Sequence, residues 1–241
     1  MTQLYSTVGD ANLDVLEDAE HFTEWLFENV RQYLHGTILE IGSGKGTYSK
    51  KLIRDYPQHT ITLSDIDPRY MAQLEHDFGS SHVNVHSLDF GKREYFEALG
   101  RRYDSVFAIN VLEHVKEDVQ AFHNVYTVLT PGGTLVVLVP AHRILFNCID
   151  EALGHYRRYT KEELRNKAQE AGFLVEQISY FNALSIPGWY LNGTILRRPM
   201  VNRRLVNLYD ALVPLVRPIE KYLLRNRLGI SLIAVLKRPL G

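Results

Sequence analysis

The segment from Thr37 to Thr47 constrains the fold more than any other part of the chain. Its sequence, TILEIGSGKGT, joins a short apolar run to three glycines spaced G-x-G-x-G, and residues that suit a helix follow. The pattern predicts a buried parallel strand, a tight turn and a helix N-terminus. Gly42, Gly44 and Gly46 permit positive φ and a close approach of ligand to backbone, while free helix N–H groups point at the ligand. A nucleotide-like ligand fits such a turn.

The spacing of the glycines separates this turn from two other nucleotide loops. A phosphate loop needs G-x-x-x-x-G-K-[ST], but Gly44-Lys45 is followed by glycine. The dinucleotide loop, G-x-G-x-x-G, has its third glycine one residue later than Gly46 and an apolar strand end where this chain has Glu40. A carboxylate at that place suits a cationic ligand, such as the ammonium group of a methionine moiety.

A second strand, predicted from Thr60 to Ser64, ends at Asp65, 23 residues after Gly42. In doubly wound sheets an acidic residue at this place can accept both ribose hydroxyls. Asp67 precedes Pro68 and a helical run, so we expect it to cap that helix. The alternative is that both carboxylates are only cap or loop residues.

A third strand, predicted from Val83 to His86, leads to Asp89 and Phe90. A carboxylate at this strand end can accept from an adenine amino group, and an aromatic ring can pack on the base. Two more strands are predicted, from Ser105 to Ile109 before Asn110 and from Thr134 to Val139.

These motifs, in the order LEIGSGKG, LSDIDP, SLDF, YDSVFAINVLEHV and LTPGGTLVVLVP, resemble those of class I S-adenosylmethionine (SAM)-dependent methyltransferases, in the group that contains ubiquinone-biosynthesis enzymes. The resemblance covers residues 37–140. It implies a doubly wound, Rossmann-like α/β sheet of order 3-2-1-4-5-7-6 with strand 7 antiparallel, and SAM as cofactor with S-adenosylhomocysteine as product. The implied cofactor residues are Glu40, Gly42, Ser43, Gly44, Gly46, Asp65, Ile66, Asp89, Phe90 and Asn110.

Length and composition suit one domain. The chain has 241 residues, 45% of them hydrophobic and 23% charged. We expect a single domain over residues 1–241, with an N-terminal helical segment at 1–36 and a cap inserted at 181–227. Cys148 is the one cysteine, which excludes an internal disulfide framework, and no exported leader is predicted, so we expect a cytoplasmic protein.

The net charge of −1 hides an asymmetry between the two ends. Residues 1–30 carry seven acidic residues and no Lys or Arg, whereas residues 197–227 carry eight bases and two acids. The ends could be solvated helix faces, or one could pack on the other. Alternatively, the basic end could meet an anionic substrate or a membrane. Net charge near zero argues against nucleic-acid binding.

Residues 141–160 hold a dense polar and aromatic cluster directly after the fifth strand, which is typical of a substrate pocket. In an extended segment His155, Arg157 and Tyr159 would share one face, offering a base, a guanidinium and a phenol together, with Tyr156 and Arg158 on the other face. His155 is the first candidate for a catalytic base, and His142 and His114 are the others. We expect no metal.

The insertion at 181–227 contains Trp189 and Tyr190, which we expect to contact the acceptor. A helix is predicted with apolar positions Leu205, Leu208, Leu212, Leu215 and Ile219, interrupted by Pro214 and Pro218. An apolar, aromatic and basic flap suits a lid over an amphiphilic or anionic acceptor, or a contact with a membrane surface. A scaffold that only buries the sheet is the alternative.

The sequence as a whole predicts methyl transfer to a small-molecule or glycolipid or saccharide acceptor. Similarity to bacterial methyltransferases of polysaccharide and glycolipid synthesis points the same way. Two other functions stay open: an NAD(P)-dependent oxidoreductase, and a SAM-binding partner subunit without turnover. The acceptor, the methylated atom and the oligomeric state do not follow from the sequence.

Overall fold

A computed structural model describes residues 11, 15, 19–80, 82–200 and 202–240. Strands and helices alternate along the chain, as expected for a doubly wound sheet. The helices are α1 (Glu20–Arg31), α2 (Thr47–Asp55), α3 (Pro68–Phe78), α4 (Arg93–Ala98), α5 (Asp118–Val128), α6 (Cys148–Leu153), α7 (Lys161–Glu170), α8 (Ser185–Trp189) and α9 (Arg203–Pro218). The strands are β1 (Ile38–Ile41), β2 (Ile61–Asp65), β3 (Val83–Ser87), β4 (Tyr103–Ile109), β5 (Leu129–Pro140), β6 (Leu174–Phe181) and β7 (Ser231–Lys237).

The seven strands form one sheet in the order β3-β2-β1-β4-β5-β7-β6. Strands β1 to β5 pair in parallel, and β7 runs antiparallel to both β5 and β6. The predicted order and the antiparallel strand are both confirmed. The carboxyl ends of β1, β2 and β4 therefore meet at one edge of the sheet, which is where open α/β sheets bind ligands.

Apolar side chains cover both faces of the sheet. On one face α4, α5 and α7 bury residues such as Phe96, Phe122 and Leu164. On the other face α1, α2, α3 and α9 bury residues such as Phe27 and Val213. The product is a helix–sheet–helix sandwich, in which the sheet is shielded from water on both sides.

Only part of the predicted N-terminal helical segment at 1–36 lies within the described residues. Helix α1 begins at Glu20 and ends at Arg31, and most of the segment before Ala19 lies outside the described residues. Its buried side, which includes Trp25, Phe27 and Val30, packs on the sheet face that α9 also covers. The single-domain assignment over 1–241 stays a prediction.

The insertion has two parts with different surroundings. Helix α8 continues into a π-helical turn at Tyr190–Ile195, and α9 continues into another at Ile219–Leu224. The expected interruption at Pro214 is wrong, because α9 runs through this residue. Pro214 lies on the exposed side of the helix, where a missing backbone hydrogen bond faces water, while the inward-facing Val213 and Val216 fix the helix on the core.

The two oppositely charged ends of the chain are in contact. Arg217 of α9 forms an ion pair with Glu28 of α1. Asp210 accepts the backbone N–H of Phe22 at 2.7 Å and contacts Nδ1 of His21 at 2.9 Å. One end therefore packs on the other, as one of the two sequence-based alternatives proposed. Among the described residues, no helix is long and apolar enough to cross a membrane.

Candidate functional site

The three glycines of the loop after β1 all have positive φ: 74° at Gly42, 52° at Gly44 and 86° at Gly46. The space around them is also tight. A Cβ atom on Gly42 would lie 2.4 Å from Cγ2 of Val111, and one on Gly46 would lie 2.6 Å from Cε2 of Phe78. Because L-residues with side chains rarely adopt such φ values and no room exists for a side chain at two of these positions, the turn requires glycine.

Glu40 of β1 lies beneath this loop, with 2% of its surface exposed. Its carboxylate accepts the hydroxyl of Ser49 at 2.6 Å, and Ser43 also hydrogen bonds to it. Burial raises the pKa of Glu40 to about 7, although these two hydroxyls oppose the shift. A cationic group next to this carboxylate would stabilise its charged form.

Asp65, at the end of β2, joins two backbone turns. Its Oδ2 accepts the N–H of Gly44 at 2.8 Å, and its Oδ1 accepts the N–H of Asp67 at 2.9 Å. Burial raises its pKa, against the effect of these donors. The N–H of Ile66 also bonds to this carboxylate. A carboxylate has about four acceptor positions, so it can still accept a ligand hydroxyl. Asp67 caps α3 by accepting the N–H of Arg69 at 2.8 Å, so the predicted cap is confirmed.

The side chains expected at an adenine differ in their placement. Phe90 is 3% exposed, and its ring packs in the core beside Phe96 rather than at the open edge. Stacking of this ring on a base therefore does not fit the structure, because the apolar ring gains more from the core. Asp89 is half-buried and accepts the N–H of Gly91 at 3.0 Å. Ile66, directly after Asp65, is 59% exposed and offers an apolar surface.

Asn110 follows β4 with a φ of 54° and an exposed side chain. This left-handed conformation, which asparagine tolerates, turns the chain into a short 3₁₀ helix at Leu112–His114. The turn places Val111 against Gly42 and so brings the end of β4 next to the glycine loop. Glu113 and His114, which follow Val111 in this turn, therefore lie near the carboxyl end of β4.

Glu113 is fully buried, and neither of its carboxylate oxygens has a hydrogen-bond partner. Its Oε1 lies 3.8 Å from Nε2 of His155, whose Nδ1 lies 2.8 Å from Oδ1 of Asp150. Asp150 therefore holds the His155 proton on Nδ1 and leaves Nε2 facing Glu113. Burial raises the pKa of Glu113 to about 7, while His155 opposes the shift.

The ring of His114 lies against that of His155, with centroids 4.7 Å apart in an edge-on arrangement. One ligand atom each from Glu113, His114 and His155 lies within 4.8 Å of the others, which is a donor set able to hold a cation. The expectation that no metal is needed stays a prediction. His142 lies apart from this cluster, since its ring stacks on Tyr180 at 5.0 Å.

The expected common face of His155, Arg157 and Tyr159 is wrong. Arg157 and Tyr159 both bind Asp118, at 2.7 and 2.9 Å, whereas His155 binds Asp150. The segment is divided between two buried carboxylates, because each buried charge needs its own donors.

Arg158, which was expected on the opposite side, binds the carboxylate of Asp150 at 2.9 and 3.0 Å. It therefore shares that carboxylate with His155. The side chains of Tyr156 and Tyr159 have opposite exposures, 56% and 0%.

Sequence reasoning missed the residues that organise this region, namely Glu113, Asp118 and Asp150. Each is buried, with at most 3% exposure, and each was available in the sequence as an acid near a histidine or arginine. Asn147 and Asp150 form a capping box at the start of α6, with reciprocal bonds between side chain and backbone. The N-x-x-D spacing was a signal for this box, but the partner of Asp150 across the loop was not readable from spacing.

Trp189 joins the insertion to the same region. Its Nε1 donates to the carbonyl of Leu145 at 3.2 Å, and the guanidinium of Arg158 lies 4.6 Å from the ring centroid. Tyr190, the next residue, is 44% exposed. Trp189 therefore contacts the Asp150–Arg158 network, whereas Tyr190 faces outward.

Comparisons with known proteins agree with the fold and the loop. A family described as a methyltransferase domain matches residues 39–135. Malonyl-[acyl-carrier protein] O-methyltransferase 1 of Ilyobacter polytropus is 23% identical over 60% of this chain and 60% of its own length. The chain thus spans less than two thirds of that relative.

Two solved structures show the same fold. An SAM-dependent methyltransferase from Mesorhizobium loti has a TM-score of 0.61 at 14% identity, over 90% of this chain and 98% of that one. Phosphoethanolamine N-methyltransferase 2 of Haemonchus contortus, in complex with SAM, has a TM-score of 0.57 at 17% identity, over 87% and 51%.

The sheet order, the glycine loop and the methyltransferase-domain match over residues 39–135 together support a class I SAM-dependent methyltransferase. This class uses SAM as its methyl donor. The acceptors at this site fit that cofactor: Glu40 is a buried carboxylate suited to an ammonium group, and Asp65 is a carboxylate suited to a diol.

Proposed function

We propose that the protein transfers a methyl group from SAM to an amphiphilic acceptor with a hydroxyl-rich head, of the glycolipid or saccharide type. Glu40 and the glycine loop would hold the methionine moiety, Asp65 the ribose, and Ile66 with Asp89 the adenine. SAM supplies an activated methyl group on a sulfonium. The protein supplies alignment of the acceptor atom and removal of its proton.

The observation that supports the acceptor class is a surface cavity of about 420 Å³, to whose lining the three residues after His155 contribute. Its walls combine basic and aromatic side chains with one acid. The lining residues are Arg143, Phe146, Tyr156, Arg157, Arg158, Glu163 and Lys167. The bases are paired: Arg143 with Glu163, Arg157 and Lys167 with Asp118, and Arg158 with Asp150. Such a surface offers both donors and acceptors with little uncompensated charge, which suits hydroxyl groups better than a free dianion.

The proposed base is His155, oriented by Asp150. Its Nε2 carries the free lone pair and would take the acceptor proton, while Glu113 stabilises the resulting imidazolium. The side chain of His155 is 8% exposed, so this proton transfer takes place away from bulk water. His114 is exposed, lies next to His155 and would line the path by which the acceptor reaches His155 and Glu113.

The substrate test uses two fractions of the same cells. Purified protein and SAM are incubated with an organic-solvent extract, with an aqueous extract, or with neither, and S-adenosylhomocysteine is quantified. We expect stimulation by the organic-solvent fraction, with a labelled methyl group recovered in a glycolipid. Stimulation by the aqueous fraction alone would overturn the amphiphilic acceptor.

The cofactor is tested separately from the acceptor. S-adenosylhomocysteine should raise the melting temperature of the protein, because it binds only the folded state, whereas NAD and NADP should not. Cofactor binding without turnover on either extract would favour a partner subunit that does not itself catalyse transfer.

A further inference from the structure

The apolar stripe of α9 faces outward instead of toward the core. Its five members, spaced for one side of a helix, are 43–66% exposed: Leu205, Leu208, Leu212, Leu215 and Ile219. The core contacts of α9 come from another side, through Val213 and Val216. The stripe continues past the helix, since Tyr222 is 72% and Leu223 is 76% exposed. A single exposed leucine is ordinary, but a continuous exposed stripe marks an interaction surface.

The exposed charges within residues 197–227 have one sign. Residues 197–227 carry eight bases, and both of their acids, Asp210 and Glu220, are at most 8% exposed. Asp210 is directed at α1, and Glu220 accepts the backbone N–H groups of Asn182 and Ala183. Both acids therefore face the protein.

Arg204, Lys221, Arg225 and Arg227 are exposed in the same stretch. The outer surface of α9 and the turn after it thus combine apolar and basic side chains without an exposed acid.

We propose that α9 and the turn at Ile219–Leu224 dock on an anionic lipid bilayer, with the leucine stripe entering the interface and the bases contacting lipid phosphates. A helix with one apolar side and a basic flank lies in the interface plane in this way, and long basic side chains reach the headgroups. The opposite charge of lipid and flank selects this occupant over a neutral apolar partner. This lipid-binding surface rests on the proposed function, because an enzyme docked on a bilayer would meet an amphiphilic acceptor in that bilayer. Vesicle binding can still be tested separately, since it needs no turnover and is measured without an acceptor.

The test is cosedimentation of the full chain with vesicles of phosphatidylcholine, with or without phosphatidylglycerol. The protein should bind the anionic vesicles, and high salt should weaken binding. Leu208→Ser/Leu215→Ser should lower the partition coefficient at least tenfold, because two exposed apolar side chains no longer enter the interface. Arg204→Gln/Lys221→Gln should lower it roughly 25-fold at low salt, about fivefold for each base.

A matched variant removes two exposed leucines elsewhere. Leu174 and Leu240 are 60% and 84% exposed, and Leu174→Ser/Leu240→Ser should bind vesicles like the original protein. All variants should keep the thermal shift with S-adenosylhomocysteine, which shows that they are folded and separates this test from that of the cofactor.

Equal vesicle binding by the stripe variant and the original protein would overturn the proposal, as would failure of the folded original protein to bind anionic vesicles. Sedimentation velocity tests whether a second copy of this chain binds the stripe instead of lipid. Self-association that Leu208→Ser/Leu215→Ser abolishes, without vesicle binding, would assign the stripe to an interface between copies of this chain and would also overturn the lipid surface.

Discussion

The backbone N–H of Gly44 donates to Oδ2 of Asp65 at 2.8 Å, which ties the glycine loop to the end of the neighbouring strand. The same carboxylate accepts the N–H of Asp67 through its other oxygen. Asp65 therefore shapes the loop as well as offering lone pairs to a ligand. A substitution at this position changes both, and the two effects must be separated.

Asp65→Ala should weaken binding of S-adenosylhomocysteine by about 30- to 1000-fold, because two charge-assisted hydrogen bonds to the ribose are lost. It should also lower the free energy of unfolding by roughly 1–3 kcal/mol through the unpaired N–H groups. Calorimetric titration and denaturant unfolding measure the two effects. Asp67→Ala is the control, with a loss of about 1 kcal/mol of stability and a smaller change in affinity. An unchanged dissociation constant in Asp65→Ala contradicts the ribose assignment.

Cofactor affinity should rise with pH through about 7, the pKa to which burial raises Glu40. The ammonium group of the cofactor requires the ionised carboxylate, so below this pKa binding must first release a proton and affinity falls up to about tenfold for each pH unit. Titrations of S-adenosylhomocysteine between pH 6 and about 8 test this dependence. Glu40→Gln should bind weakly and lose the pH dependence, and a slope that persists in this variant assigns it to another group.

Glu113 should make the free energy of unfolding fall as pH rises, which is the opposite direction to the pH dependence of cofactor affinity. Its pKa is about 7 in the folded chain and 4.5 as the reference value, so the folded state holds the proton more tightly. The contribution is fully present below pH 4.5 and is lost as pH rises through about 7, by about 3 kcal/mol at most. Denaturant unfolding of Glu113→Gln should show a flatter dependence than the original protein over this range. Parallel curves would mean that Glu113 does not titrate there.

His155→Gln should lower kcat by about 10²- to 10⁴-fold, with little change in cofactor affinity, if the methylated atom must lose a proton. His142→Gln, at a histidine stacked on Tyr180 and apart from the cluster, is the matched control and should keep its activity.

Chelation by EDTA distinguishes a base from a bound cation at the same side chains. Unchanged activity supports His155 as the base, and loss of activity contradicts the metal-free mechanism.

Arg157→Lys should raise the acceptor KM, because lysine cannot reproduce the two-pronged contacts of a guanidinium.

Trp189→Leu should raise the acceptor KM while leaving cofactor affinity within about threefold, because Trp189 lies on Arg158 rather than on the glycine loop. Trp189→Phe keeps a ring over Arg158 but loses the hydrogen bond from Nε1 to Leu145, so its acceptor KM should lie between those of the original protein and Trp189→Leu. Tyr190→Ala tests the exposed neighbour. Equal losses of cofactor and acceptor binding would make this part of the insertion a scaffold.

The sequence by itself determined the local elements of the cofactor edge. The glycine spacing, the apolar runs and the Asp67-Pro68 cap each act within a few residues, so the loop after β1 and the strands beside it could be predicted from pattern. The strand order was implied by the family resemblance. The same holds for Thr160, whose capping box with Glu163 opens α7. Such features follow from φ, hydrogen bonding and periodicity along the chain.

Only the tertiary structure decided which side chains meet across the chain. Asp150 and Asp118 divide the 155–159 segment between them because buried carboxylates take the nearest donors, and an alternating pattern does not carry this information. The direction of α9 was decided in the same way. Two sides of α9 are apolar. The side with Val213 and Val216 packs on α1 and the sheet, so the leucine stripe, which has more apolar residues, is exposed.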